Sequence, residues 1–177
     1  MPPLTLVTGG SRGLGRNTAL SIARKGGDVL ITYRSRADAA DAVIAEIEAL
    51  GRKACALQLD MSEPSRFPAF ADSVKAALQE TWNRSSLDHL VNNAGEGINV
   101  PLAEIREAQF VTLFSVHVKG PLFLTQALLP LIADGGRIVN ISSGLTRFTY
   151  PGYGAYAAAK GAVEVLTRYM AKELGPR

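Results

Sequence analysis

Runs of consecutive apolar residues recur along the chain and alternate with segments whose apolar residues are spaced three or four positions apart. A continuous apolar run is typical of a strand buried on both faces, whereas the wider spacing marks one face of a helix. Five such runs predict strands at residues 4–8, 28–33, 53–59, 87–92 and 137–142. This alternation predicts an α/β fold with a doubly wound parallel sheet, whose ligands bind at the carboxyl ends of the strands.

Two of the intervening segments carry a clear apolar stripe along one helical face. The stripe of the first comprises Ala40, Val43, Ile44, Ile47 and Leu50. The stripe of the second comprises Phe67, Phe70, Val74, Ala77 and Leu78. Two longer helices are predicted at about residues 107–133 and 153–174, and both are apolar enough to pair with their copies in a homodimer or homotetramer. No repeat or linker interrupts the pattern, so we expect a single domain over residues 1–177.

Composition and charge narrow the classes of function. Apolar residues make up 47% and charged residues 20% of the 177 residues, as in a globular protein and unlike a disordered one. The net charge of +3 is scattered, so no nucleic-acid surface is indicated. We find no secretion signal and no apolar stretch long enough to span a membrane. Cys55 is the only cysteine, which leaves no internal disulfide or cysteine-based metal site, and we expect a buried strand residue in a cytoplasmic protein.

A glycine-rich loop follows the first strand. It reads Thr8-Gly9-Gly10-Ser11-Arg12-Gly13-Leu14-Gly15, and a helical pattern begins directly after it. Glycines let the backbone turn sharply and let a pyrophosphate approach the N–H groups at the positive end of a helix. The spacing G-x-x-x-G-x-G is a variant of the general dinucleotide fingerprint G-x-G-x-x-G. A plain strand-to-helix turn needs fewer glycines, so the loop predicts a dinucleotide site.

The end of the second strand indicates which dinucleotide is bound. NAD enzymes usually place a carboxylate there for the ribose 2′-hydroxyl, whereas NADP enzymes use an arginine for the 2′-phosphate. Here the residues are Tyr33-Arg34-Ser35-Arg36, without an acid, and Arg12 in the glycine loop can add a second guanidinium. NADP(H) is therefore preferred over NAD(H). The alternative is that Arg34 and Arg36 are solvated loop charges.

Tyr156 and Lys160 form the candidate catalytic pair. Tyr156 is the only one of the five tyrosines with a lysine four residues later, about one helical turn away. The pair by itself is weak evidence, because a tyrosine often only packs along a lysine stem. The surrounding motifs strengthen it.

Those motifs are TGGSRGLG (8–15), LDMS (59–62), NNAG (92–95), GRIVNISS (136–143) and YAAAK (156–160). With these motifs in this order, the sequence resembles the short-chain dehydrogenase/reductases of the type with an extended Rossmann domain. It is most similar to NADPH-dependent 3-oxoacyl-carrier-protein reductases. The resemblance implies an oxidoreductase that reduces a carbonyl to a secondary alcohol, or catalyses the reverse reaction, on a small-molecule substrate.

The resemblance also implies roles for individual residues. Tyr156 would be the general acid, with Lys160 favouring its phenolate form and holding the nicotinamide ribose. Ser143, thirteen residues before Tyr156, would hydrogen-bond the substrate carbonyl, with its neighbour Ser142 as the structural alternative. Asp60 would contact the adenine, and Asn92 to Gly95 would support the fold beside the cofactor. The implied cofactor-binding set is Gly9, Ser11, Arg12, Gly13, Leu14, Gly15, Arg34, Asp60, Met61, Asn93, Ala94, Gly95, Tyr156 and Lys160.

One departure from the family pattern lies in the fifth helix. Family members carry an asparagine in a pattern like N-V-x-G, where this chain has His117. The family role is to keep a helical irregularity whose carbonyl holds a water next to the lysine. Pro121 has no N–H, so the carbonyl of His117 would remain free for that water. The alternative is that His117 only packs or hydrogen-bonds within the helix.

The second departure concerns the extent of the chain. Family members continue past the position of Arg177 into two more parallel strands and a segment that covers the substrate. We expect either a fragment of a longer enzyme or a short chain of doubtful activity. The sequence does not identify the substrate. A catalytically silent NADP-binding or assembly protein is therefore the alternative to a carbonyl reductase.

Overall fold

In the computed structural model, which describes all 177 residues, five parallel strands form one sheet in the order β3-β2-β1-β4-β5. The strands are β1 (Leu4–Val7), β2 (Asp28–Tyr33), β3 (Ala54–Gln58), β4 (Leu87–Asn92) and β5 (Ile132–Asn140). The α-helices are α1 (Gly13–Arg24), α2 (Ala37–Ala49), α3 (Phe67–Trp82), α4 (Glu107–Phe114), α5 (Gly120–Leu128) and α6 (Gly154–Leu174). The strand order reverses between β1 and β4, which is the switch point of a doubly wound sheet. The predicted fold class is confirmed.

Apolar layers cover both faces of the sheet. On β2, Leu30 belongs to the layer that contains α3 and α5, whereas Val29 and Ile31 belong to the layer that contains α1 and α2. Successive strand residues point to opposite faces, so a strand covered on both sides is apolar at consecutive positions, as β2 is from Val29 to Ile31. Each of these fully buried side chains contributes roughly 1.5–3 kcal/mol relative to an exposed one.

The predicted helical stripes are largely the buried faces. All five stripe residues of α3 are buried. In α2, Ala40, Val43 and Ile47 are buried, while Ile44 is only partly buried. The prediction was wrong for Leu50, which is 43% exposed because α2 ends at Ala49 and Leu50 turns away from the sheet.

The segment predicted as one helix over residues 107–133 is not a single α-helix. A π-helical turn, Ser115–Lys119, separates α4 from α5, and a short 3₁₀ turn, Leu129–Leu131, ends the segment. The other long helix, α6, agrees with its prediction to within a residue. None of the helices combines the length and the apolar character that a membrane span requires.

The last strand also differs from its prediction. β5 begins at Ile132 rather than 137, because Ile132 already pairs with Leu87 of β4. The register then shifts before Arg137 pairs with His89. Gly135, at φ 78°, lies in this irregular part, where its lack of a Cβ allows the left-handed conformation.

Candidate active site

The glycine loop lies between β1 and α1 at the carboxyl end of the sheet. A Cβ on Gly15 would overlap the carbonyl of Gly9 and the side-chain amide of Asn93, and one on Gly9 would lie 2.9 Å from the Cα of Ala94. Gly9 also has a φ of 66°. The loop is therefore packed against the end of β4 so closely that only glycine fits. No side chain caps the N-terminus of α1, which leaves its first N–H groups open to a ligand.

Thr8 joins the ends of β1 and β4 at the switch point. Its hydroxyl oxygen accepts hydrogen bonds from the backbone N–H groups of Asn93 at 2.9 Å and Ala94 at 3.0 Å. The side-chain amide of Asn93 donates to the carbonyl of Thr8 at 2.8 Å. These bonds fix the loop after β4 against the glycine loop.

Asn92 lies below this junction and is buried. Its amide donates to the side-chain oxygens of Asn140 at 2.8 Å and Thr125 at 3.3 Å. Asn140 in turn donates to Thr167 of α6 at 2.9 Å. The amides thus tie β4 and β5 to α5 and α6, which places Asn92 in a supporting position beneath the cleft.

A cleft of about 450 Å³ opens above these junctions. All the residues of the predicted cofactor-binding set line it, and His117 lines it as well. Eight further lining residues lie outside the predicted cofactor-binding set, among them Ser142, which the sequence offered as the alternative to Ser143; the others are Thr32, Tyr33, Leu59, Glu96, Gly97, Val116 and Ile141. Glu96 and Gly97 directly follow the NNAG motif, and that adjacency was the available signal for them.

The arginines at the end of β2 lie in different surroundings. Arg34 lines the cleft, where its guanidinium is 3.5 Å from the carboxylate of Glu96. Arg36 lies outside the cleft and pairs with Asp38 at 2.7 Å, with both side chains about two-thirds exposed. Arg12 lines the cleft from the glycine loop. Arg36 therefore fits the alternative of a solvated charge, whereas Arg12 and Arg34 face the cleft.

Asp60 lies at the same end of the cleft. Its carboxylate accepts hydrogen bonds from the N–H of Ser62 at 2.9 Å and from the hydroxyl of Ser62 at 2.7 Å. Burial raises the pKa of Asp60, but the bonds from Ser62 and the nearby charges of Arg34 and Arg66 outweigh burial and hold that pKa below its usual value. The group is an anion that can accept further hydrogen bonds.

Tyr156 and Lys160 lie in the first turns of α6 and face the cleft together. The Nζ of Lys160 is 5.9 Å from the centroid of the Tyr156 ring and donates to the carbonyl of Ile141 at 2.7 Å. Lys160 is only 5% exposed, and burial lowers its pKa to about 8. The helical pairing predicted from the spacing is present.

His117 lies in the π-helical turn and is 2% exposed. Its Nε2 is 2.7 Å from the carbonyl oxygen of Glu96, so Nε2 carries the proton and donates it in this bond. Its Nδ1 has no partner, and its ring meets the Tyr156 ring edge-on at a centroid distance of 5.2 Å. Burial, and then the charge of Lys160, lower the pKa of His117 to about 4. The helical irregularity implied by the resemblance is present at this position.

The two serines after β5 have different surroundings. Ser142 lines the cleft, and its hydroxyl donates to the carboxylate of Glu164 at 2.7 Å. Thr146 donates to the same oxygen at 2.7 Å. The hydroxyl of Ser143 accepts a bond from the N–H of Leu145 at 3.2 Å, and Ser143 is not among the residues that line the cleft. The structure brings Tyr156, Lys160 and His117 together, and the catalytic role of Ser143 stays a prediction.

Cys55 lies on β3, outside the cleft. It is partly buried, and burial raises the pKa of its thiol to about 12. The thiol is therefore a poor nucleophile at neutral pH.

Comparison with known proteins agrees with this geometry. The family model for short chain dehydrogenase matches residues 3–177. A 3-oxoacyl-[acyl-carrier-protein] reductase from Synechocystis sp. is 37% identical in an alignment of 177 positions that covers 98% of this chain and 69% of the relative. The chain spans between 60% and 69% of the length of eight curated relatives that it matches.

Solved structures with bound NADP have the same fold. An angucycline C-6 ketoreductase with bound NADP superposes with a TM-score of 0.94 at 35% identity, covering 98% of this chain and 68% of that one. A short chain dehydrogenase from Burkholderia cenocepacia in complex with NADP has a TM-score of 0.90 at 40% identity, covering 99% and 69%.

Proposed function

The chain belongs to the short-chain dehydrogenase family, and from that premise we propose that it forms the catalytic part of an NADPH-dependent carbonyl reductase. NADPH, when bound, supplies the hydride that reduces the carbonyl carbon to a secondary alcohol, and the reverse reaction oxidises the alcohol. The observation that carries the proposal is that Tyr156 and Lys160 face the same cleft as the glycine loop.

Tyr156 is the proposed proton donor. A carbonyl oxygen gains negative charge as its carbon is reduced, and a positioned acid lowers the cost of that charge. The Lys160 ammonium contacts a neutral carbonyl and pairs with no carboxylate, and it lies 5.9 Å from the centroid of the Tyr156 ring, so we propose that its charge faces the reacting oxygen. Ser143 or Ser142 would hydrogen-bond the substrate oxygen from the loop after β5.

We propose His117 as a positioning residue. Its bond to the Glu96 carbonyl holds the loop after β4, and its ring supports Tyr156 from the side. Pro121 has no N–H, so the carbonyl of His117 has no α-helical partner four residues on, and we propose that it holds a water near Lys160. In this proposal the histidine takes the place of the family asparagine without entering the proton transfer itself.

NADP(H) is the proposed cofactor in preference to NAD(H). The residues of the cleft fit a dinucleotide, because the glycine loop has no space for a Cβ at Gly15 and the helix N-terminus is uncapped. Arg34 is held only by a 3.5 Å ion pair to Glu96, so its planar guanidinium is free to bind the 2′-phosphate, and Arg12 lines the same cleft. The solved relatives with bound NADP support this choice.

Self-association into a homodimer or homotetramer is also proposed. Phe110 and Val111 on α4 and Phe123 on α5 are 41%, 52% and 39% exposed, so these helices present apolar side chains that a second copy of the chain can cover. Sedimentation at several concentrations tests this proposal, and a monomer throughout would contradict it. A cytoplasmic location stays a prediction of the sequence.

The function is tested by incubating the protein with NADPH and a panel of ketones and measuring both nucleotide oxidation and alcohol formed. Alcohol formed in equal amount to the NADPH consumed supports the reductase. The alternative, a silent NADP-binding or assembly protein, predicts that NADPH raises the melting temperature while no ketone is reduced. That combination would overturn the proposal.

A further inference from the structure

The ion pair between Arg34 and Glu96 joins the two sides of the cleft. Arg34 directly follows β2 and Glu96 lies in the loop after β4, and β1 lies between these two strands in the sheet. Neighbouring strands are about 4.8 Å apart, so the two strands that lead to these residues are roughly 10 Å apart. The guanidinium and the carboxylate nevertheless come within 3.5 Å of each other, and both residues line the cleft. The pair therefore crosses the crevice at the carboxyl end of β1.

The two charged groups have no other polar partner. The carboxylate of Glu96 contacts only the guanidinium of Arg34, and that guanidinium contacts only Glu96. Their separation of 3.5 Å is longer than a charge-assisted hydrogen bond, so the pair is loose. Asp60, the other carboxylate that lines the cleft, is engaged by both the N–H and the hydroxyl of Ser62. Glu96 is therefore the uncommitted anion beside Arg34.

The backbone is held on both sides of this pair. The carbonyl oxygen of Glu96 is 2.7 Å from Nε2 of His117. A Cβ on Gly95 would lie 2.6 Å from Cε1 of the same ring, so the loop is packed against the imidazole. On the other side, the side-chain amide of Gln58 donates to the carbonyl of Arg34 at 2.9 Å. The carboxylate is thus kept within reach of the guanidinium by contacts that do not involve either charge.

A carboxylate in this position affects the two nicotinamide cofactors differently. The 2′-phosphate of NADPH carries about two negative charges at neutral pH, and it requires the guanidinium that Glu96 contacts. A fixed carboxylate beside the same guanidinium competes with the phosphate and repels it. The 2′-hydroxyl of NADH is neutral and cannot displace a carboxylate from an arginine. An anion that opposes one of two ligands changes the difference between their affinities, which is specificity.

We propose that Glu96 is a specificity-determining residue, which competes with the 2′-phosphate of NADPH for Arg34 and so limits the preference for NADPH over NADH. The end of β2 carries no acid, and Glu96 brings one to the same arginine from the loop after β4. This inference deepens the proposed function and rests on it, since it concerns the choice of cofactor at the same site.

The test is calorimetric titration of Glu96→Gln with NADPH and with NADH. Glutamine keeps the size of the side chain and the backbone contacts to His117 but removes the charge. The Kd of NADPH should fall by about fivefold, while the Kd of NADH stays within about twofold. Asp38→Asn is the matched control, because it removes an equal charge from Arg36 outside the cleft, and it should leave both constants within about twofold. An unchanged Kd of NADPH in Glu96→Gln, or an equal gain for both nucleotides, would overturn the inference.

A second titration asks whether the effect passes through Arg34. When Arg34→Ala is the starting protein, adding Glu96→Gln should change the Kd of NADPH by less than about twofold, because there is no guanidinium left to compete for. A fivefold gain that persists without Arg34 would contradict the proposed competition.

These titrations require no ketone, so they separate this inference from the proposed reductase. If NADPH binds but no ketone is reduced, the reductase proposal fails and the two dissociation constants still decide the role of Glu96. If ketones are reduced and Glu96→Gln binds both nucleotides as the unaltered protein does, only the inference fails. Absence of binding of either nucleotide to the unaltered protein overturns both.

Discussion

The ammonium of Lys160 and the ring of Tyr156 face one cleft from a single helix, with Nζ 5.9 Å from the ring centroid. The ammonium is buried, and its hydrogen-bond partner is the neutral carbonyl of Ile141 rather than a carboxylate. Its charge is therefore available to the phenol. The same helix carries Glu164 one turn beyond Lys160, where it binds the turn that follows β5. One helix thus positions the candidate acid, its cation and the neighbouring serine loop.

The pH dependence of stability follows from His117. Burial and the Lys160 charge lower its pKa from 6.5 to about 4 in the folded protein. Between these values the unfolded chain binds a proton that the folded chain does not, so the free energy of unfolding falls as the pH drops from 6.5 toward 4. At about 1.4 kcal/mol per pKa unit the total loss is on the order of 3 kcal/mol. Urea denaturation at a series of pH values measures it.

Matched histidine variants identify the source of that pH dependence. His117→Asn removes the titrating ring and should flatten the decline, whereas His89→Asn should keep it. A decline of equal size in His117→Asn would contradict the assignment. Turnover that rose by about a hundredfold in His117→Asn would contradict the positioning role of this histidine. Such a rise would mean that the backbone carbonyl at residue 117 does not hold the water when histidine replaces the family asparagine.

Arg34 should decide the choice between the two nicotinamide cofactors. Arg34→Ala removes a charge-assisted contact to the 2′-phosphate, so the Kd of NADPH should rise roughly tenfold while the Kd of NADH stays within about twofold. Fluorescence titration with both nucleotides measures the two constants. Arg36→Ala is the matched control, since Arg36 pairs with Asp38 outside the cleft. An equal loss of NADPH and NADH affinity in Arg34→Ala would show that this arginine does not read the phosphate.

Gly15 should be essential for nucleotide binding. A methyl group there overlaps the Gly9 carbonyl and the Asn93 amide, so Gly15→Ala must displace the loop, and NADPH affinity should fall by more than about tenfold. Gly161→Ala is the control, because no atom beyond the neighbouring backbone of its own helix lies within 4 Å of the added methyl group. It should leave binding intact and stabilise α6 by about 1 kcal/mol. Calorimetric titration measures the affinities, and normal NADPH binding by Gly15→Ala would refute the proposed loop role.

Glu164 should support catalysis without touching the cofactor. Hydrogen bonds from Ser142 and Thr146 lower the pKa of Glu164, so the carboxylate is charged at neutral pH. Glu164→Gln weakens both bonds and should reduce kcat severalfold while the Kd of NADPH is unchanged. Glu173→Gln, near the end of the same helix, is the control. Steady-state kinetics together with nucleotide titration distinguish the two parameters, and a selective loss of NADPH binding would contradict this role.

Much of the fold could be predicted because buried strands leave a strong pattern. The bounds of β2 and β4 agree with the sequence prediction, since both strands carry several Val, Leu or Ile residues and have polar or glycine neighbours. The glycine loop and the Tyr156–Lys160 pair are visible as spacings, because a tight turn and one helical turn each fix the distance between residues, although the pair needed the surrounding motifs to be assigned. These features depend on local geometry.

The remaining features depend on contacts between distant segments. The early start of β5 could not be read from the sequence, because Gly135 and Gly136 look like a turn and only pairing with β4 makes the segment a strand. Spacing could not decide which of Ser142 and Ser143 faces the cleft, since that depends on where β5 ends. Glu96 enters the cleft through the path of the loop after β4, which His117 holds from another helix.

The central claim is that Tyr156 donates the proton, and the most direct test compares ketone reduction by the unaltered protein with that by Tyr156→Phe, at matched NADPH occupancy. Removing one phenolic hydroxyl should lower kcat by roughly a hundredfold to ten-thousandfold while the Kd of NADPH stays within about twofold. Tyr169→Phe, which alters an exposed hydroxyl away from the cleft, should leave both values unchanged. A Tyr156→Phe protein that still reduces the ketone at a rate near that of the unaltered protein would contradict the account.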